Sequence, residues 1–454
     1  MTHRESGTTA GRPGGGLRRS LGVGDAVVVG LGAMVGAGIF AAPAPAARAA
    51  GDGLLAALAL AAVVAYCNAR SSARLAARYP SSGGTYVYGR ERLGPFWGYL
   101  AGWAFVIGKT ASCAAMALTV GAYLWPGREH VAAVVAVVAL TAAGYGGVQK
   151  SARIARLIVA AVLAVLAGVV VLCLTSGAAG GAVPWGAGPR GARGLLEAAG
   201  LLFFAFAGYA RITTLGEEVR DPRRTIPRAV PLALGIALAV YAAVTVAVLS
   251  VLGTAGLAAS AAPLSDAVRA AGWGGLTPVV RAGAVLAAVG SLLALVLGVS
   301  RTALAMARDG HLPRALATVH PRRGVPHRAE LAVGAVVAVL AATVDLRGAI
   351  GFSSFGVLVY YAIANAAAWT LGGSRGAGSG AEPAAGAGAD PVEGRREGRV
   401  GRGVAVVGLA GCVVLACALP LASVLTGTGV LALGAVLYGV RARPGSRAGS
   451  GPAA

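Results

Sequence analysis

Apolar residues fall along this chain in long runs, and the charged residues gather in the short stretches between them. Such runs read as membrane-spanning helices, because crossing a bilayer takes about 20 residues at ~1.5 Å each. The runs define twelve spans, at 24–47, 52–70, 95–125, 130–147, 154–176, 195–216, 226–252, 278–300, 328–345, 349–371, 403–419 and 421–440. Only Pro420 breaks the last pair. The pattern predicts an all-α polytopic membrane protein with twelve transmembrane helices.

Two of these spans are not built as plain anchors. The first, from Gly24 to Ala47, carries glycines at 30, 32, 36 and 38 and prolines at 43 and 45. Mid-helix Gly and Pro weaken the backbone ladder. Backbone groups freed in hydrocarbon cost several kcal/mol each unless protein, water or a ligand satisfies them. A break around Gly36-Ala37-Gly38 therefore predicts a cavity at membrane depth, with the positive end of the second half-helix aimed at an anionic group such as a carboxylate. The sixth span places Phe206-Ala207-Gly208-Tyr209 at its centre, again a small flexible residue among aromatics. Interrupted segments five spans apart mark an inverted-repeat transporter and its binding site. Spans 1–5 and 6–10 are the expected five-plus-five repeats with broken helices 1 and 6, and spans 11 and 12 are appended. A competing reading is that these glycines only allow close helix packing.

Charge sets the expected orientation. Of the 39 Lys and Arg residues, 30 fall in the two tails and the even-numbered connections, seven in the odd-numbered connections, and two, Lys109 and Arg211, inside spans. The positive-inside rule then places both termini in the cytoplasm of a cell membrane protein. The expected organisation is a cytoplasmic tail over 1–23, a transporter core over 24–371, a Gly/Ala-rich cytoplasmic linker over 372–402 without fixed structure, two helices over 403–440, and a tail over 441–454. Thr225 is the expected cap of span seven, with Pro227 in its first turn, and a short helix is expected after Ser265 in the external loop 254–275.

Composition narrows the function classes. The chain is 57% hydrophobic and 12% charged, against about 25% charged in average soluble chains. A net charge of +22 would suit nucleic acid, but long apolar runs separate the basic clusters, so no nucleic-acid partner is expected. The five cysteines all lie in apolar runs, which indicates neither a disulfide framework nor a metal site. The spans hold no His/Asp/Glu cluster, and the chain has no nucleotide-phosphate loop. An enzyme, an ATP-driven pump and a cofactor are all unexpected, and no catalytic residue is assigned. Residues 1–23 are too hydrophilic for a signal peptide.

Three stretches carry a family resemblance: GAMVGAGIF in span one, FFAFAGYARITTLGEEVRDPRRTIPRAV across span six and its loop, and SRTALAMARDGHLP after span eight. From roughly Gly24 to Leu371 the chain resembles the amino acid–polyamine–organocation (APC) family of permeases. The resemblance implies alternating access, with amino acids or polyamines moved by proton coupling or exchange. It also implies a site: the substrate carboxylate meets backbone amides around Gly36, Ala37 and Gly38, and its α-amino group meets carbonyls near Met34 and from the unwound part of span six, around Phe203 to Phe206, beside Gly208. Phe204 and Phe206 wall the side-chain pocket, with Phe204 at a position resembling the family's gating aromatic. The family often has Ser where Ala37 stands. Some relatives place an acidic residue at the position of Ala210 and a proton-linked lysine at that of Val162. Amino acid permease is the expected function, with an amino acid, membrane lipid and protons as partners. A polyamine or cationic amino acid antiporter, and a non-transporting amino acid sensor, are the alternatives.

A charge at the bilayer centre costs ~2.5–3.5 kcal/mol on insertion scales, so Lys109 and Arg211 are functional candidates for coupling or charge selection. Either could instead bind carbonyls freed at a helix break. Asp25, Glu197, Glu330 and Asp345 lie near span ends and leave both cations without a mid-depth carboxylate. Glu217 or Glu218 could pair with Arg301 or Arg308 when an inward gate closes, or lie in a solvated loop.

Overall fold

A computed structural model describes residues 21–79, 83–145, 152–176, 191–214, 218–320, 325–371 and 391–442. Glu217 and the linker residues 372–390 lie outside the described residues. The helices are α1 (Val23–Met34), α2 (Ala37–Ala41), α3 (Pro43–Ala50), α4 (Leu54–Arg78), α5 (Thr85–Leu93), α6 (Pro95–Leu124), α7 (Glu129–Tyr145), α8 (Ala152–Thr175) and α9 (Gly191–Phe206). They continue as α10 (Ala210–Thr213), α11 (Pro222–Ala259), α12 (Pro263–Ala270), α13 (Thr277–Arg308), α14 (His327–Thr343), α15 (Leu346–Thr370), α16 (Pro391–Ala418) and α17 (Leu421–Ala442).

Among the described residues, ten helical segments are long and apolar enough to cross a membrane. The other two expected spans, at 130–147 and 328–345, are the 17-residue helices α7 and α14. Seventeen residues reach ~26 Å, the short end of what spans a bilayer.

At three prolines a helix starts earlier than its pattern suggests. α11 begins at Pro222 behind Asp221, so Thr225 is not its cap. The external helix α12 begins at Pro263 and not after Ser265. α16 begins at Pro391, so residues 391–402, expected in the linker, are helical. The cause is common: Pro has its φ preset for the first helical turn and lacks an N–H that would go unused there.

α6 runs through the middle of the bundle, packed along α13 and α15. A Cβ on Gly108 of α6 would stand 3.2 Å from the Cα of Gly356 of α15, so the two backbones cross at glycine on both sides. The outer helices α8, α16 and α17 leave large apolar side chains bare, including Leu157, Val171, Val413, Leu425 and Val440. That surface suits lipid, whose tails are as apolar as the side chains. Of the carboxylates at the expected span ends, Asp25 and Glu197 find partners, while Glu330 is buried with neither oxygen hydrogen-bonded among the described residues. Arg156 donates to Asp25 at 2.8 Å, and Arg347 pairs with Glu197. The segment before α1 is tied to the loop after α10: Leu21 N donates to Glu218 O at 3.1 Å, and Arg220 N to Leu21 O at 3.0 Å.

Candidate functional site

The backbone departs from the α-helix at both expected positions, and the two departures face each other. The first falls at Val35 and Gly36, between α1 and α2; Gly36 has ψ of −137°, far from helical. The second is a 3₁₀ turn over Ala207–Tyr209 between α9 and α10; Phe203 to Phe206, expected in the unwound part of span six, are instead the last helical residues of α9. α1 packs on that turn, while α2 and α3 pack on α9.

Two glycines make this approach possible, and a third makes room for α13. A Cβ on Gly208 would lie 2.3 Å from the Ala33 carbonyl oxygen, and one on Gly38 would lie 2.6 Å from Ala205 Cα. Both neighbours are backbone or backbone-attached and cannot rotate aside. A Cβ on Gly36 would lie 2.0 Å from Ser291 Oγ on α13. Close packing and helix breakage are therefore not rival readings of these glycines; the same residues do both.

The carbonyls freed at the breaks are met by side chains from four other helices. Tyr241 Oη of α11 donates to Met34 O at 2.6 Å and to Ala205 O at 3.0 Å, one hydroxyl shared between the two breaks. Ser291 Oγ donates to Gly32 O at 3.3 Å. Lys109 Nζ of α6 donates to Ala207 O at 3.3 Å, and Tyr361 Oη of α15 reaches the same oxygen at 3.4 Å. A hydroxyl has one proton, and each carbonyl oxygen has two lone pairs. Met34 O and Ala205 O thus keep acceptor capacity for an ammonium group. On the other side of the break, the first N–H groups of α2, around Gly36, Ala37 and Gly38, have no carbonyl four residues back within their own helix. The arrangement offers donors on one side and acceptors on the other.

The aromatics expected here are all buried but differ in setting. Phe203 packs edge-on against Tyr361, with centroids 5.9 Å apart, and Phe206 against Tyr241 at 5.1 Å. Phe204 has no aromatic partner among the described residues. Lys109 is buried, and its ammonium reaches the second break. Arg211 stands on α10 with an exposed side chain, in the electrostatic range of Glu218 and Arg301, and is not brought to the break carbonyls. Glu218 makes no ion pair with Arg301 or Arg308 among the described residues. Tyr241, Tyr361 and Ser291 are the contributors that periodicity did not reveal. Their signal was available only as a rule: a tyrosine hydroxyl buried in an apolar span needs a partner.

Comparison with known proteins matches the amino acid permease family over residues 25–372, more than half of the chain. The chain belongs to the amino acid permease family. It is 67% identical over 425 residues to an uncharacterized transporter of Mycobacterium tuberculosis, covering 94% of this chain and 92% of that one. It is 28% identical over 377 residues to a branched-chain amino acid permease of Bacillus subtilis, covering 78% and 81%. A vacuolar cationic amino acid transporter 4 of Arabidopsis thaliana is 28% identical over 372 residues, 76% of this chain and 62% of that protein. This permease-family chain is thus a multi-pass membrane protein, and its site glycines at 36, 38 and 208 all fall inside the matched region.

Proposed function

We propose that the protein is a secondary active transporter that moves amino acids across the cell membrane by alternating access. The observation that carries this reading is the pair of facing helix breaks, with spare carbonyl acceptors at Met34 and Ala205 and, around Gly36 to Gly38, amides at the start of α2 with no carbonyl four residues back in that helix. An α-amino acid presents both complements, an ammonium and a carboxylate, a short distance apart. In this reading α7 and α14 join the ten longer spans to make twelve, arranged as a five-plus-five inverted repeat with two appended helices and both termini in the cytoplasm.

Lys109 takes the part of the cation that some relatives place in span five, where this chain has Val162. A unit charge ~6 Å from a cationic side chain costs about 3 kcal/mol at an effective dielectric of ~20. With Ala210 in place of an acidic residue, the site favours neutral or acidic amino acids over cationic ones. The relatives named cationic amino acid transporters keep a second reading in view, antiport of cationic amino acids or polyamines. Proteoliposomes given a panel of labelled amino acids and polyamines, with and without a pH gradient, decide between them. Saturable uptake of neutral or acidic amino acids is expected. Preferred uptake of arginine, lysine or polyamines would overturn the charge argument, and binding without uptake of any member would overturn transport.

A further inference from the structure

Away from the breaks, α4 presents one bare face whose chemistry changes along its length. Ala56, Ala59, Val63, Tyr66 and Arg70 recur every three or four residues and are all exposed, and after the half-buried Arg74 the same face ends at the exposed Arg78. The first turns of this face are apolar, with Val63 52% and Tyr66 44% exposed. The last turns are basic. Between them, Arg70 donates to the Tyr66 hydroxyl at 3.3 Å, which sets a tyrosine where apolar surface gives way to charge.

At the basic end α4 faces a crevice walled by the start of α11 and by α16. It comprises two adjoining cavities of ≈ 410 and ≈ 510 Å³ that share Arg74 and Pro227. Arg70, Arg78 and Arg223 line it from two helices, and no carboxylate lines either cavity among the described residues. Arg92 also lines it but is spent on the end of α15, donating to Thr370 Oγ1 at 2.9 Å and Thr370 O at 2.5 Å. Gly401 of α16 lies directly on the Arg74 guanidinium, since a Cβ there would stand 2.2 Å from Nη1. That packing holds one wall of the crevice in place.

We propose that this crevice binds the headgroup of an anionic phospholipid, with its acyl chains lying along the apolar face of α4. Guanidinium groups recognise phosphate through paired N–H donors, and basic pockets between membrane helices are where acidic headgroups lodge. The apolar stripe decides for lipid over a soluble phosphate. It runs straight into the arginines, and Val230 and Pro231 of α11 line the same crevice. A soluble anion would make no use of either surface.

The test reads lipid retention and is independent of transport, so it can fail while the transport reading stands. The detergent-purified full chain is titrated with phosphatidylglycerol or phosphatidylcholine and examined by native mass spectrometry, beside Arg70→Gln, Arg223→Gln, the double variant, and Arg314→Gln on an exposed turn elsewhere. Phosphatidylglycerol is expected to be retained in preference to phosphatidylcholine. Each crevice substitution should lower that preference about fivefold, as expected for ~1 kcal/mol per arginine, and Arg314→Gln should leave it unchanged. Arg223 is exposed at the start of α11, so its loss should not disturb the fold. Equal retention of the two lipids, an unchanged preference in the double variant, or displacement of the lipid by millimolar glycerol phosphate would overturn the proposal.

Discussion

Tyr241 joins the two helix breaks through a single hydroxyl, so Tyr241→Phe isolates what that hydroxyl contributes. Phenylalanine keeps the ring that packs on Phe206 at 5.1 Å, whereas a smaller residue would add a cavity to the measurement. The substitution removes donors at 2.6 and 3.0 Å from Met34 O and Ala205 O, and both carbonyls stay buried. Leaving a buried acceptor without its donor costs ~1–3 kcal/mol. The two bonds share one proton, and interhelical hydrogen bonds in membranes average only ~0.6 kcal/mol. An overall loss of about 1–2 kcal/mol is therefore expected, read as a fall of a few degrees in the thermal midpoint of the detergent-purified protein. The same vacancy makes a second, less obvious outcome. A transported amino acid brings an ammonium that satisfies both carbonyls, so the rise in midpoint on adding substrate should be larger in the variant than in the parent. An unchanged midpoint without substrate, or a substrate-induced rise no larger than the parent's, would refute the idea that these carbonyls are the ammonium site.

Gly208→Ala puts a Cβ 2.3 Å from the Ala33 carbonyl oxygen and should cost ~1–3 kcal/mol of overpacking, seen as a loss of monodisperse protein on size-exclusion chromatography; normal yield and transport would show that the breaks can separate. Gly36→Ala should be rescued by Ser291→Gly, because the obstruction is the serine side chain alone; a double variant no better than the single would place the need for glycine in the backbone. Phe204→Ala should speed substrate loss from preloaded proteoliposomes, and efflux equal to the parent's would make it ordinary packing. Lys109→Met should abolish the response of uptake to a pH gradient while Arg211→Met should change affinity or selectivity, and a Lys109→Met profile that still follows the gradient would remove its coupling role.

The membrane class and the position of both breaks were legible in the residues because each rests on a local cost. An apolar run of about 20 residues has few other fates in water, and glycines at 36, 38 and 208 would weaken a spanning helix with no local gain. Helix starts were less legible. Pro222, Pro263 and Pro391 each open a helix, yet a proline among loop residues reads equally well as a terminator.

The inner lining of the site was the least legible part, and the reason is geometric. Tyr241, Ser291, Lys109 and Tyr361 come from α11, α13, α6 and α15, separated by up to 252 positions along the chain, and no periodicity links them. What they have in common is the demand placed on them. Each supplies a donor to a carbonyl that a helix break has freed where no water is at hand, and each such carbonyl would otherwise cost several kcal/mol. Lys109 shows how that demand resolves the reading of a buried charge. From the residues alone, a mid-span lysine was open to a functional or a structural role. Its ammonium rests on Ala207 O, at the centre of the second break, so the structural contact and the proposed functional position coincide. Arg211 is only two residues from the same turn, yet its side chain is exposed and meets no break carbonyl. The two cations, already given different expected roles because only lysine can lose its proton when desolvated, thus also sit in different settings.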